Sequence, residues 1–257
     1  MKTLLRPGML AAVILAPCFA AAAPKVLNNC QPITEPGAYV VGKNIAAAGD
    51  CFAIAADFVN VDLDGFVVSG NGTGSAFVEQ LGVARRGFQL RNGVVTGFAS
   101  GVSMGNSSAM VIDRVQFTNN SFVGVRAGNT TTVSNSTVLN NGIGIQLDQR
   151  GVVTNCTVND NTGTGVLLGI GGSAVGNAVG RNGFNGLSLA EGGLVANTVS
   201  RNNAHDGVSM DCPGTVVAST ASNNLGFNVT QPGLGSQCNE GGTCCLVIGH
   251  TSTINSF

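Results

Sequence analysis

Apolar and polar residues alternate in short bursts that return at a nearly fixed interval. Each burst opens on a glycine followed by an aliphatic residue: Gly101-Val102, Gly124-Val125, Gly144-Ile145, Gly165-Val166, Gly186-Leu187 and Gly207-Val208. The glycines stand 23, 20, 21, 21 and 21 residues apart, and a degenerate seventh, Gly226-Phe227, follows after 19. Two residues past each aliphatic position comes another apolar one: Met104, Ala127, Leu147, Leu168, Leu189, Met210 and Val229. The residues between them are Ser103, Arg126, Gln146, Leu167, Ser188, Ser209 and Asn228. In-out-in alternation over three positions predicts a short strand with one buried face.

A second strand precedes several of these, at Val133-Ser-Asn135, Val153-Thr-Asn155, Val175-Gly-Asn177 and Val195-Ala-Asn197. A further asparagine column follows at Asn120, Asn141, Asn161, Asn182, Asn202 and Asn224. Residues of one type at one phase imply stacked, similar coils. Both columns are read as inward, where amides can bond from rung to rung, and the glycines as supplying corner conformations. The pattern predicts an all-β fold, a single-stranded parallel β-helix of about seven to eight coils of about 21 residues, and the general crossover rule makes it right-handed. Helical leucine-rich repeats, a hairpin-built sandwich and a calcium-binding nonapeptide solenoid each need signatures that are missing.

Composition agrees. Only 10% of the residues are charged, 38 are glycine, and 44% are hydrophobic, too many for a disordered chain. The formal net charge of −1 and the lack of a basic run argue against a nucleic-acid partner. Residues 1–22 read as a secretory signal. Lys2 and Arg6 precede an apolar run from Met9 to Ala16 and a small-residue cleavage stretch ending at Ala22. That run is too short to span a bilayer, and no later segment is suited to one. The expected organisation is a signal at 1–22, an N-terminal cap at 23–52, the β-helix at 53–230 and a C-terminal cap at 231–257. The expected location is secreted or periplasmic. Export favours disulfides, with Cys30–Cys51 and Cys212–Cys238 as the candidate pairs. Cys156 is expected to be a buried free thiol, and the adjacent Cys244 and Cys245 are left unassigned.

The repeated asparagine followed by Gly-aliphatic, and the opening block Cys51-Phe-Ala-Ile-Ala-Ala-Asp-Phe-Val-Asn-Val-Asp-Leu-Asp-Gly65, resemble right-handed β-helix repeat proteins of the pectate-lyase-like superfamily. The resemblance covers roughly Cys30 to Asn239. It implies the handedness of the coil and a polysaccharide-related role as lyase, hydrolase, epimerase or non-catalytic module. The family's catalytic motifs are incomplete here. There is no Asp-Asp pair and no Arg-x-Lys, and of an Asp-Pro-His-Asp pattern only Ala204-His205-Asp206-Gly207 remains. No catalytic residue is therefore carried over.

Repeat phase places Asp160, Arg181 and Arg201 on successive coils, with His205 and Asp206 just past the same corner. His205 shares its column with Phe122 and Phe184, and Asp206 shares that of Asn185. Such a patch suits a sugar acid, with arginine on the carboxylate and His205 as general base; a surface ion-pair ladder is the simpler and favoured explanation. A second patch gathers Asp62, Asp64, Arg91 and Arg114, with Arg85 and Arg86 in the preceding loop. Calcium is conceivable there, but two carboxylates beside arginines make a poor oxygen cage, and no cofactor is expected. Asp148 and Asp211 share a turn phase three coils apart, about 14 Å, too far for a glycosidase pair. Ser136, Ala178, Thr198 and Thr220 are read as an outward small-polar stripe. The expected function is a monomeric non-catalytic module binding polysaccharide or another surface partner. The alternatives are a lyase or epimerase on acidic glycans and a structural or adhesive protein.

Overall fold

The computed structural model describes residues 23–226, with the backbone of 229–230, 246–248 and 251–253. The signal segment, Cys238, Cys244, Cys245 and most of the expected C-terminal cap lie outside the described residues.

The chain is a parallel β-solenoid. One coil shows the plan: Thr132–Ser134, a corner, Thr137–Leu139, a second corner, then Ile143–Leu147 and a turn into the next coil. The first two strands of every coil belong to one 19-stranded sheet that bends at the corner, and we call its two halves the first and second faces. The third strands form a separate nine-stranded sheet, the third face. Every strand pairing is parallel, from coil to coil. Nine third-face strands exceed the seven or eight coils expected. Phe52–Ile54 and Ser75–Glu79 are rungs that lack the Gly-aliphatic signature.

The core is built of columns. Phe77, Val102, Val125, Ile145, Val166, Leu187 and Val208 stack inward on the third face, and all are 2% exposed or less. Phe52 and Phe77 stack at 5.2 Å between ring centroids, and Phe88 joins at 5.6 Å. Among the described residues two carboxylate side chains are buried, Glu79 and Asp206. Glu79, between Ile54 and Met104, accepts bonds from Ser107 Oγ at 2.7 Å and from the Asn106 amide at 2.5 Å.

The second asparagine column is inward. Nδ2 of Asn120 donates to Oδ1 of Asn141 at 2.9 Å, and the bond repeats at 3.1, 2.9, 3.0 and 2.8 Å through Asn161, Asn182, Asn203 and Asn224. Each Oδ1 also accepts the backbone N–H of the asparagine one coil upstream. The rung is Asn203, not Asn202. Asn202 lies in the corner with φ 58° and points to solvent.

The first column corrects the expectation. Asn135, Asn155 and Asn197 are exposed corner residues with φ of 49°, 53° and 49°. Asparagine is one of the few non-glycine residues that visits the left-handed region routinely. The inward position is the next one along, filled by Ser136, Cys156, Asn177, Thr198 and Ser219. Each of the last three accepts the backbone N–H of the residue one coil upstream, at 2.9, 3.3 and 3.2 Å. Ser136 and Thr198 are therefore buried, and the outward small-polar stripe does not exist as drawn.

The repeat glycines also act differently from expectation. None of Gly101, Gly124, Gly144, Gly165 or Gly186 has a positive φ. A Cβ on any of them would sit 2.4 to 2.7 Å from a carbonyl oxygen of the following coil. They are glycine because rungs approach too closely there for a methyl group.

Cys30 and Cys51, one of the two candidate pairs, form a disulfide. Cys212 is disulfide-bonded as well, and its expected partner Cys238 lies outside the described residues. Cys156 is free and buried, and burial pushes its thiol up to about 11. At neutral pH a thiol-alkylating reagent should leave Cys156 unmodified in the native protein and label it only on unfolding. Mass spectrometry before and after denaturation checks this, and rapid native labelling of Cys156 would contradict it.

Candidate functional site

The expected charged corner resolves into two self-contained groups. Asp160 and Arg181 lie in one corner column on adjacent coils. Nε of Arg181 donates to Oδ1 of Asp160 and Nη2 to Oδ2, both at 2.7 Å. That guanidinium holds the Asp160 carboxyl below its ordinary range. The third residue of the column is Asn202, because strand pairing sets Arg201 beside Gly180. Arg201 is thus one position away from the stack that the sequence suggested. Both partners of the pair are well exposed, so solvent screens it.

His205 lies flat on Phe184, with centroids 4.6 Å apart and planes 21° apart. Its Nδ1 is 2.8 Å from Oδ1 of Asn185, which also accepts the backbone N–H of Asp206 at 3.1 Å. That oxygen can only accept, so Nδ1 carries the hydrogen. Oδ1 of Asp206 is 3.5 Å from Nδ1, and the Asp206 side chain is buried. Asp160 and Arg181 are thus engaged with each other, and His205 with Phe184 and Asn185. Arg181→Gly loses a screened ion pair of at most about 1 kcal/mol but relieves a left-handed conformation (φ 53°) that costs an arginine about as much. Its unfolding free energy should stay within about 0.5 kcal/mol of wild type in a urea titration; a loss above about 2 kcal/mol would show the pair to be structural.

The second patch is a run of pairings along the first corner. Arg91 Nε donates to Asp62 at 2.9 Å, Arg114 Nε donates to Asn92 at 2.9 Å, and Arg114 is 3.1 Å from Asp113. Asp64 joins it through its backbone N–H, which donates to Asp62 at 2.9 Å. Arg85 and Arg86 stand apart: Arg85 donates to the carbonyl of Ile54, and Arg86 through its backbone to Asp57. Among the described residues no three His, Cys, Asp or Glu side chains gather as a metal site.

The outer surface of the third face holds what the sequence reading missed. Gln146, Leu167, Ser188 and Ser209 form one outward column on four successive coils. Beside it, at the strand ends, run Asp148, Gly169, Ala190 and Asp211. Together they line an open trough of about 380 Å³. Asp148 and Asp211 close its two ends, and neither forms an ion pair among the described residues. Three rungs separate them, about 14 Å. The signal was in the sequence, since Gly169 and Ala190 occupy the same phase between the two acids. Small side chains between larger ones on a solenoid face leave a depression.

A family model described as right handed beta helix region matches residues 44–204. Among solved structures, the A-module of mannuronan C-5 epimerase AlgE4 from Azotobacter vinelandii is similar, with TM-score 0.60 and 19% identity over 77% of this chain and 63% of that one. A mutant of the periplasmic alginate epimerase AlgG follows at 0.50 and 14%, over 81% and 62%. Pectate lyase Pel9A follows at 0.45 and 14%, over 86% and 69%. The chain spans a little under two thirds of the two epimerase structures. No curated protein sequence matches it.

Proposed function

The chain belongs to the right handed beta helix family, and from that premise we propose that it is an extracytoplasmic module that binds polysaccharide along the third-face trough. The observation that carries this reading is the trough itself. It crosses four coils in the direction of the solenoid axis, with a floor of one amide, one leucine and two hydroxyls. An extended glycan advances by close to one rung per sugar, so equivalent groups repeat in step with it. The open shape suits a polymer that passes through rather than a small molecule that is enclosed.

The Cys30–Cys51 disulfide supports an oxidising compartment outside the cytoplasm. No helix among the described residues is long and apolar enough to cross a membrane. The epimerases of similar fold act on mannuronan and alginate by name. At 19% identity and below, they lend this chain a fold and a class of partner to test. A non-catalytic role is favoured over lyase or epimerase chemistry by the corner at His205. The ring there is stacked on Phe184, and Arg181 is already paired with Asp160.

The test is a panel of neutral, acidic and amine-bearing polysaccharides, read by affinity electrophoresis, with ultraviolet absorbance monitored for unsaturated product. Binding to at least one glycan is expected, without cleavage. Ser188→Phe, at an outward position in the middle of the trough, should abolish that binding while leaving the melting temperature unchanged. Binding that survives this substitution would move the site elsewhere, and unsaturated product would establish the lyase alternative.

A further inference from the structure

We propose that the glycan held in the trough carries amines, so that its ammonium groups meet Asp148 and Asp211. This inference rests on the trough being the binding surface and adds the chemical class of ligand. Of the residues lining the trough, the only charged ones are these two aspartates, one at each end. Glu191, on the turn after Ala190, adds a third negative charge nearby. Two cations stand closest. Arg126, at the head of the outward column, lies over Gly105 on the coil upstream, its Nε 3.1 Å from where a Cβ on that glycine would be. Arg150, on the turn after Asp148, leans over Gly171. Neither lines the trough.

A polyuronate laid along this surface would bring its carboxylates against Asp148 and Asp211 with no lining cation to receive them. An amine-bearing glycan reverses the sign at both ends, where ammonium donors find carboxylates of opposite charge. Its hydroxyls can exchange bonds with Gln146, Ser188 and Ser209, and an apolar sugar face can rest on Leu167. Gly169 and Ala190 leave the passage between the two acids open. The separation of about 14 Å, three rungs, places the acids three sugars apart on a chain that advances one rung per sugar.

The experiment is isothermal titration of the full chain with three probes: a hexamer of β-1,4-linked glucosamine, its N-acetylated counterpart, and a hexamer of mannuronate. The pH is set so that the sugar amines are protonated and the aspartates ionised. The glucosamine hexamer is expected to bind roughly tenfold more tightly than either other probe. Asp148→Asn and Asp211→Asn should each weaken it about two- to fivefold, as for solvent-exposed charge pairs, and added salt should weaken it further. Equal affinity for the N-acetylated or mannuronate hexamer, or unchanged affinity in both asparagine variants, overturns the amine assignment. Ser188→Phe separates the two layers of the argument. If it abolishes binding of a hexamer that shows no amine preference, the trough reading stands and only the ligand class falls. If the glucosamine hexamer binds equally well to Ser188→Phe, the trough reading falls too. Binding of none of the three overturns both.

Discussion

Replacing Asn161 with leucine is expected to lower the unfolding free energy by about 4 kcal/mol, from the cost of stranding one buried donor and removing a bond from three further polar groups. Asn161 sits mid-ladder and is 1% exposed. Its Oδ1 accepts both the backbone N–H and the Nδ2 of Asn141. Its Nδ2 donates to Oδ1 of Asn182 and to the carbonyl of Val138. Leucine strands the backbone N–H of Asn141 and removes one bond each from Asn141 Nδ2, Asn182 Oδ1 and the Val138 carbonyl, in a site that is 1% exposed. A urea titration monitored by circular dichroism checks the value, and a loss under about 1 kcal/mol would mean that the ladder contributes order rather than stability. Asn161→Asp is the sharper variant. Aspartate keeps the acceptor but, when ionised, turns an oxygen toward Oδ1 of Asn182. Burial and that contact raise its folded pKa. Relative to wild type, this variant is therefore most stable below the unfolded aspartate value of about 3.9 and loses ground as pH rises through the folded value.

The second large effect is expected at Gly144. A Cβ there would sit 2.4 Å from the carbonyl oxygen of Gly165, 2.7 Å from Cγ1 of Val138 and 3.0 Å from Nδ2 of Asn161. The first is backbone of the neighbouring rung, so neither side can swing away. Gly144→Ala must push two coils apart where their hydrogen bonds are formed, and it disturbs the ladder as well. A loss of about 3 kcal/mol is expected, at the upper end of overpacking costs. Gly171→Asn is the contrast. Its φ is +69°, a conformation asparagine tolerates, and the nearest atom is Cγ of Arg150 at 3.6 Å. That variant should stay within about 0.5 kcal/mol of wild type. Equal losses at the two positions would show that conformation, rather than crowding between rungs, decides where this solenoid needs glycine.

These two positions also show how much was legible beforehand. The strand period and the inward aliphatic columns could be read directly, because apolar residues recur at a phase that no other architecture explains. The phase of the polar residues was harder, because the period is not constant: the steps are 23, 20 and then 21. A slip of one residue turns a side chain from core to solvent, which is how Asn202 was taken for Asn203 and Arg201 was placed in the stack. Asn135 misled for another reason. The corner and the core both favour asparagine, one for its tolerance of positive φ and the other for its paired donor and acceptor, and composition cannot tell them apart. Glycine carries the same ambiguity between conformation and close approach. The trough is hard to see in the sequence because it is made by what is small, Gly169 and Ala190, rather than by a cluster of charges. His205 and Asp206 were correctly placed beside Phe184 and Asn185, yet proximity on one corner did not make an open constellation.

The asparagine column has a direction. Each amide from Asn120 to Asn203 donates to the amide of the coil after, so the stack resembles a row of arrows rather than a row of bars. Its two directions are chemically unlike: toward the N-terminus an amide presents Oδ1, as Asn120 does to the backbone N–H of Phe98, and toward the C-terminus it presents Nδ2. A second solenoid could extend this row only by meeting it tail to head. Two copies related by a two-fold axis across their ends would set donor against donor or acceptor against acceptor. Any lengthening of the row, by an added coil within the chain or by another chain, is therefore vectorial, and a closed symmetric pair cannot be built through it.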